Sequence, residues 1–222
     1  MPIDFHEYWQ GEVHKPGFWS PACNEHEFIF NKARKYEPQT IIEIGACMGW
    51  SALTFHRAWP KAQIFSYDIC EKIYWNNNAP IGSDTRHLLP DWVIFRTSVT
   101  AADLNIPHDL AWIDGNHSSP HAFLDTLLCF RFARFPYTLL WHDIGLEFRP
   151  DCIACIGPTQ AWKAITAVAP AFGIELDEAG MCRSAHFPYA IDKYQFMINL
   201  LREWRVGPEL ENIPVAHIYE HS

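Results

Sequence analysis

Two short segments carry the side chains best suited to chemistry: Ile113-Asp114-Gly115-Asn116-His117-Ser118 and Trp141-His142-Asp143-Ile144. Asp114, His142 and Asp143 supply two carboxylates and an imidazole, a reasonable ligand set for Mg²⁺, Mn²⁺ or Fe²⁺ that leaves positions open for substrate oxygens. An ion held there would lower the pKa of a bound hydroxyl. His117 has the imidazole of a general base, with an ordinary pKa of about 6.5. It also reads as a helix-capping or surface histidine in a chain with twelve histidines. The candidate catalytic residues are therefore His117, Asp114 and His142, and the candidate metal ligands Asp114, His142 and Asp143. His108 and His121 are read as bystanders. Cys152-x-x-Cys155 has half of a zinc spacing but no second pair, so it reads as structural cysteines.

A second constellation lies upstream. Glu43-Ile44-Gly45-Ala46-Cys47-Met48-Gly49 puts two glycines four apart after an apolar run. Glycine at a strand end lets the backbone turn sharply and a ligand approach closely. A dinucleotide loop would need a glycine where Cys47 stands. The carboxylate of Glu43 would oppose a phosphate but suit a cationic sulfonium ligand and its amino group. Taken alone the loop is also a generic tight turn. Asp68, roughly twenty residues further on, is placed to accept ribose hydroxyls; its other reading is a helix N-cap. Ser98 could face an adenine, or be an ordinary loop serine. The residues placed to contact such a ligand are Glu43, Gly45, Ala46, Gly49, Trp50, Ser51, Asp68, Ser98 and Asp114.

These groups need elements to hold them. Strands are predicted at Thr40–Gly45, Gln63–Asp68, Trp92–Arg96, Leu110–Asp114 and Tyr137–Trp141, and helices at Asn24–Tyr36, Gly49–Phe55, Pro120–Arg134, Thr159–Val168 and Asp192–Trp204. Pro120 suits the first turn of its helix, whose apolar face is Phe123, Leu124, Leu127 and Leu128. In the last helix Asp192 and Gln195 have capping-box spacing, and Tyr194, Met197, Ile198, Leu201 and Trp204 form a stripe. Apolar strands alternating with helices predict an α/β, doubly wound, mostly parallel sheet covered on both faces. Ligands of such sheets bind beyond the carboxyl ends of the strands, where the polar residues above fall.

Composition bounds the partners. At 222 residues, 49% hydrophobic and 19% charged, the chain folds and reads as a single domain over 1–222. It divides into an aromatic N-terminal arm or lid (1–21), a core (22–205) and a C-terminal tail or final strand (206–222). The formal charge of −9 argues against nucleic acid or an anionic membrane as partner. No run of about 18 apolar residues suggests a membrane span. Seven irregularly spaced cysteines fit reduced thiols in a cytoplasmic chain better than a disulfide frame. The aromatic arm leaves a homo-oligomer open.

Ile42 to Ala52 resembles the first motif of class I S-adenosylmethionine-dependent methyltransferases. The IDGNHS segment paired with HD resembles, more narrowly, the branch of macrolide-sugar O-methyltransferases and cephalosporin hydroxylase-like proteins. The likeness runs from about Glu25 to Val168. It implies a Rossmann-like seven-stranded sheet with the last strand antiparallel, S-adenosyl-L-methionine as cofactor, and methyl transfer to a small-molecule hydroxyl, often assisted by a divalent metal. Macrolide-sugar relatives carry an acidic pair where this chain has His142-Asp143, which points to a softer metal than Mg²⁺ or to none. Two alternatives stand beside this reading. One is a divergent relative serving as a ligand-binding or assembly subunit; the other is metal-dependent non-methyl chemistry on the same fold.

Overall fold

The computed structural model describes residues 28–29, 37–74, 77–146 and 151–206. The expected arm 1–21, most of the helix 24–36 and nearly all of the tail 206–222 lie outside the described residues. Strands β1 (Thr40–Ile44), β2 (Gln63–Tyr67), β5 (Val93–Arg96), β6 (His108–Ile113), β7 (Ala133–Trp141), β8 (Glu175–Ala179) and β9 (Cys182–Phe187) form one seven-stranded sheet in the order β5-β2-β1-β6-β7-β9-β8. A two-stranded ribbon, β3 (Lys72–Ile73) with β4 (Ala79–Pro80), stands apart from it.

The sheet from β5 to β7 is parallel, while β9 runs antiparallel to both β7 and β8. An antiparallel strand is therefore present, at Cys182–Phe187, among the described residues. β8 and β9 escaped the sequence reading because Glu175-Leu176-Asp177-Glu178-Ala179 is a polar edge strand with Leu176 exposed. Charged edges discourage pairing with another chain, and they carry no hydrophobic run to find.

Helices α1 (Trp50–Ala58), α2 (Ser119–Arg131), α3 (Ile156–Phe172) and α4 (Lys193–Val206) cover the sheet. Two buried clusters occupy its faces: Ile41, Phe55, Ile64, Trp112 and Leu140 on one side, Ile42, Phe130, Leu139, Trp141, Ile165 and Phe196 on the other. The alternation of Leu139, Leu140 and Trp141 between them follows from the two-residue period of a strand.

Two helix faces differ from the sequence reading. In α4 the buried residues are Phe196 and Leu200, while Tyr194 is 72% and Leu201 38% exposed. Asp192 does cap this helix, accepting from the Gln195 N–H at 3.0 Å, but the Gln195 side chain donates forward to Asn199 instead of closing the box. In α2, Leu124 is exposed and Ala122, Phe123, Thr126, Cys129 and Phe130 are buried. Thr126 is inside because its hydroxyl accepts from Trp141 Nε1 at 3.0 Å and donates to the Ala122 carbonyl at 2.9 Å. A polar residue satisfied in this way is invisible to a pattern that counts only apolar positions.

Candidate active site

The strands β1, β6 and β7 are neighbours and end together, so the loops after them meet. The backbone joins them directly: Asp114 N–H donates to the Ile44 carbonyl at 2.8 Å, and His142 N–H to the Ile113 carbonyl at 3.2 Å. Gly45, at φ +94°, lies so close to the Asp114 carbonyl that a Cβ would overlap it. Glycine is required there both for the left-handed turn and for the approach. The loop after β1 and the acidic segment after β6 thus share a wall.

Beyond Gly45 the chain turns through Cys47 (φ 42°) and Gly49 (φ +91°) into α1. Asp68 holds this turn. Its Oδ2 accepts from the Cys47 N–H at 3.0 Å and its Oδ1 from the Cys70 N–H at 2.8 Å. The residues after Asp68 lead to β3, so it caps no helix. Each carboxylate oxygen keeps a second lone-pair direction for a ligand hydroxyl. Ala46 and Ser51 are buried, and the Cys47 thiol is pushed up to about 12 by burial, so it stays protonated. Ser98 lies exposed at φ 58° and donates to Glu71 Oε1 at 3.0 Å.

Glu43 departs most from expectation. Its carboxyl does not face the loop's outer surface; it is wholly buried and accepts the hydroxyls of Ser51 and Ser66. Burial pushes it up to about 8 against those two hydrogen bonds, so it is mostly neutral at pH 7. Glu43 therefore joins α1 and β2 to β1 and presents no charge to a cationic ligand. Ser51 likewise serves Glu43.

The segment 82–85 clasps the same loop. Gly82 N–H donates to the Cys47 carbonyl at 2.7 Å, Thr85 Oγ1 to the Met48 carbonyl at 3.4 Å, and Trp50 Nε1 to Asp84 Oδ2 at 3.3 Å. The sequence reading had no signal for this beyond Gly82, whose φ of +75° and packing on the Phe95 ring exclude a side chain.

The second half of the site gathers all four expected residues. His117 Nε2 lies 3.4 Å from Asp114 Oδ1 and 3.3 Å from Asp143 Oδ2. His142 Nδ1 lies 3.3 Å from Asp114 Oδ1 and 3.5 Å from Asp143 Oδ1. The ring of His142 tilts over the buried indole of Trp112, with centroids 5.6 Å apart. Burial acts to raise the Asp114 carboxyl, but His142 and His117 hold it well below the usual carboxylate range. Burial acts to lower His117, yet its hydrogen bond to Asp114 and the charges of Asp114 and Asp143 raise it overall.

These donors fit a divalent ion. One ligand atom from each of Asp114, His117 and Asp143 lies within 4.8 Å of the others. The nitrogen-to-oxygen separations of 3.3–3.5 Å exceed the roughly 2.8 Å of a tight charged hydrogen bond. Two carboxylates and an imidazole suit Mn²⁺ or Fe²⁺ at least as well as Mg²⁺. The compact set thus contains His117 where the sequence reading had His142, which lies against the same carboxylates. His117 reaches them because Ser118, N-cap of α2, returns the chain toward the sheet.

One cysteine expectation is overturned. Cys152 and Cys155 form a disulfide at the start of α3, so this pair is not reduced; among the described residues Cys47, Cys70, Cys129 and Cys182 lie outside any disulfide. Among the described residues no helix is long and apolar enough to cross a membrane.

Residues 42–144 match the model of a family described as a methyltransferase domain, a span just under half of the chain. No curated protein matches by sequence. Among solved structures, a Podospora anserina methyltransferase, PaMTH1, bound to SAH is similar with a TM-score of 0.58 at 18% identity, covering 85% of this chain and 89% of that one. The O-methyltransferase TomG of Streptomyces achromogenes, in complex with SAM and involved in tomaymycin synthesis, gives 0.56 at 14% identity over 77% and 82%. The MycE methyltransferase of the mycinamycin biosynthetic pathway, in complex with Mg and SAH, gives 0.56 at 17% identity; the match covers 86% of this chain but 58% of MycE. These likenesses establish the fold.

Proposed function

We propose that this chain, a class I methyltransferase by its fold and by the match over residues 42–144, moves the methyl group of S-adenosyl-L-methionine to a hydroxyl oxygen of a small molecule. The observation that carries the reading is the shared wall between two loops. Gly45, in the glycine loop, packs directly on Asp114, and Asp114 belongs to the cluster with His117, His142 and Asp143. Methyl transfer needs a donor and an acceptor oxygen held in line at close range, and one continuous wall can hold both.

Each residue has a part. Gly45 and Gly49 let the backbone approach the donor, and Asp68 offers its remaining lone pairs to the ribose hydroxyls. Ala46, Trp50 and Ser98 border the donor, while Glu43 and Ser51 hold the loop's shape from beneath. Asp114, His117 and Asp143 would hold a divalent ion. Such an ion would supply a lowered pKa for the acceptor hydroxyl. With an ion held by Asp114, His117 and Asp143, His142, whose Nδ1 lies 3.3 Å from Asp114 Oδ1, is the imidazole left to carry the hydroxyl proton away; without an ion, His117 can do so as well. The Mg-containing MycE structure supports metal assistance, and the O-methyltransferase TomG and the methyltransferase MycE, each of a biosynthetic route to a small molecule, support a small-molecule acceptor.

We read the chain as one domain without nucleic-acid or membrane partners, on the strength of its charge of −9. The irregular cysteine spacing supports a cytoplasmic location, and the Cys152–Cys155 disulfide weighs against it. Calorimetry with S-adenosylhomocysteine tests the donor assignment. Wild type is expected to bind, and Asp68→Ala to bind more weakly by about 1–3 kcal/mol, the range for losing hydrogen bonds to a charged group. No binding to folded wild type at millimolar ligand would remove the donor reading.

A further inference from the structure

The Cys152–Cys155 disulfide lies outside the chemistry described so far, yet it sits against both loops that carry the cluster. Cys155 is the N-cap residue of α3 and is fully buried, whereas Cys152 is partly exposed. Cys155 N–H donates to the Cys152 carbonyl at 3.0 Å, so the pair closes a single turn leading into a 17-residue helix.

That turn touches the site on two sides. Gly157, in the first turn of α3, is pressed so closely on the His117 and Ser118 backbone that a Cβ would overlap the His117 carbonyl. Ser119, at the start of α2, donates to Gln160 one turn further along α3. On the other side, a Cβ on Gly145 would lie 3.9 Å from Cys155 Sγ, and Gly145 is two residues beyond Asp143. The turn closed by Cys152 and Cys155 thus adjoins the segment that carries His117, through Gly157, and the segment that carries Asp143, through Gly145.

We propose that Cys152–Cys155 is a thiol–disulfide exchange site whose opening by a dithiol loosens the His117 turn and weakens divalent-ion binding by Asp114, His117 and Asp143. The ion-binding part rests on the function proposed above; the exchange and the loosening do not. The difference in burial decides the direction of attack, since Cys152 is partly exposed and Cys155 fully buried. A dithiol thiolate attacks Cys152 Sγ, forming a mixed disulfide and expelling Cys155 as a thiolate. The leaving thiolate forms at the N-terminus of α3, where the helix dipole favours negative charge. The second thiol of the reductant then attacks its own sulfur in the mixed disulfide and releases Cys152. Two electrons and two protons pass to the protein, and the reductant leaves as a cyclic disulfide.

The full chain is treated with millimolar dithiothreitol under native conditions, desalted and alkylated, and the labelled cysteines are mapped by peptide mass spectrometry. Amide hydrogen exchange over residues 114–119 and Mn²⁺ affinity are then compared between the oxidised and alkylated forms, with Cys152→Ser/Cys155→Ser as a second open form. Expected are two new labelled thiols at 152 and 155, faster exchange in 114–119, and Mn²⁺ binding weakened about fivefold or more. Resistance of the bond to the dithiol, or exchange in 114–119 equal in oxidised and open forms, overturns the proposal. Equal Mn²⁺ affinity in both forms overturns it as well. If neither form binds Mn²⁺, the metal assignment and with it the ion-binding part fall, while labelling and exchange still decide the rest.

Discussion

Replacing Glu43 by glutamine separates a buried structural acid from a ligand-facing one. In the fold its carboxyl is fully buried, accepts two serine hydroxyls and titrates at about 8 instead of 4.5. Between those values the folded chain keeps a proton that the unfolded chain releases. The contribution of Glu43 is therefore fully present below pH 4.5 and is lost as pH rises toward 8. Each pH unit in that window is about 1.4 kcal/mol, so roughly 3 kcal/mol has gone by pH 7. Glutamine keeps the shape, accepts one serine and donates to the other, and does not ionise. Glu43→Gln is expected to be within about 1 kcal/mol of wild type at pH 5 and more stable than wild type by about 3–4 kcal/mol at pH 8. Urea denaturation of both proteins at half-unit steps from pH 5 to 8 measures the difference, in which titrating groups not coupled to Glu43 cancel. Affinity for S-adenosylhomocysteine should stay within about threefold, because less than 1 kcal/mol is at stake when the carboxyl does not reach the ligand. A variant-minus-wild-type difference that is flat with pH would refute the burial argument. A large loss of ligand affinity would return Glu43 to the role its sequence position suggested.

Three further outcomes follow from the same geometry. His108 is fully buried between the Ile106 carbonyl and the Tyr137 hydroxyl, and burial lowers its pKa to about 4. Stability is therefore lost as pH falls from 6.5 to 4, by about 3 kcal/mol, and denaturation of His108→Gln should show a flatter acid limb. Gly45→Ala combines a left-handed φ with overlap on the Asp114 carbonyl, and should lower stability by about 2–4 kcal/mol in thermal or urea unfolding. Asp143→Asn should abolish Mn²⁺ binding measured by calorimetry while leaving S-adenosylhomocysteine affinity within about threefold, since Asp143 lies on the far side of Asp114 from the glycine loop.

How far the sequence could be read depended on whether a residue's role was local. The parallel half of the sheet was legible because Thr40–Ile44, Gln63–Tyr67, Val93–Arg96 and His108–Ile113 are short apolar runs that end in punctuation. The left-handed turns at Gly45 and Gly49 were legible for the same reason, since the residue type and the backbone requirement coincide. What escaped is non-local. Nothing in Glu178 or Arg183 announces that β8 and β9 pair across the Gly180–Met181 turn, nor does Gly82 reveal that its N–H will reach the Cys47 carbonyl.

Two residues of the site whose surroundings differ from what sequence position suggested share that origin. Glu43 and His117 were assigned roles from residue chemistry and spacing, but the partners that set their states come from elsewhere in the chain. Ser66 on β2 and Ser51 on α1 turn Glu43 from a surface charge into a neutral brace. Asp143 on the loop after β7 turns His117 from an isolated base into a member of a charged cluster. In both cases the imposed state serves the neighbour rather than the residue. A neutral Glu43 fixes the loop that presents Gly45 to Asp114 without adding a third negative charge beside Asp114 and Asp143. An ionised Glu43 would raise the energy of Asp114 in its charged form. The buried brace and the part-buried cluster are thus one electrostatic unit. A substitution that forces charge onto position 43 should be felt first at Asp114, before any ligand is bound.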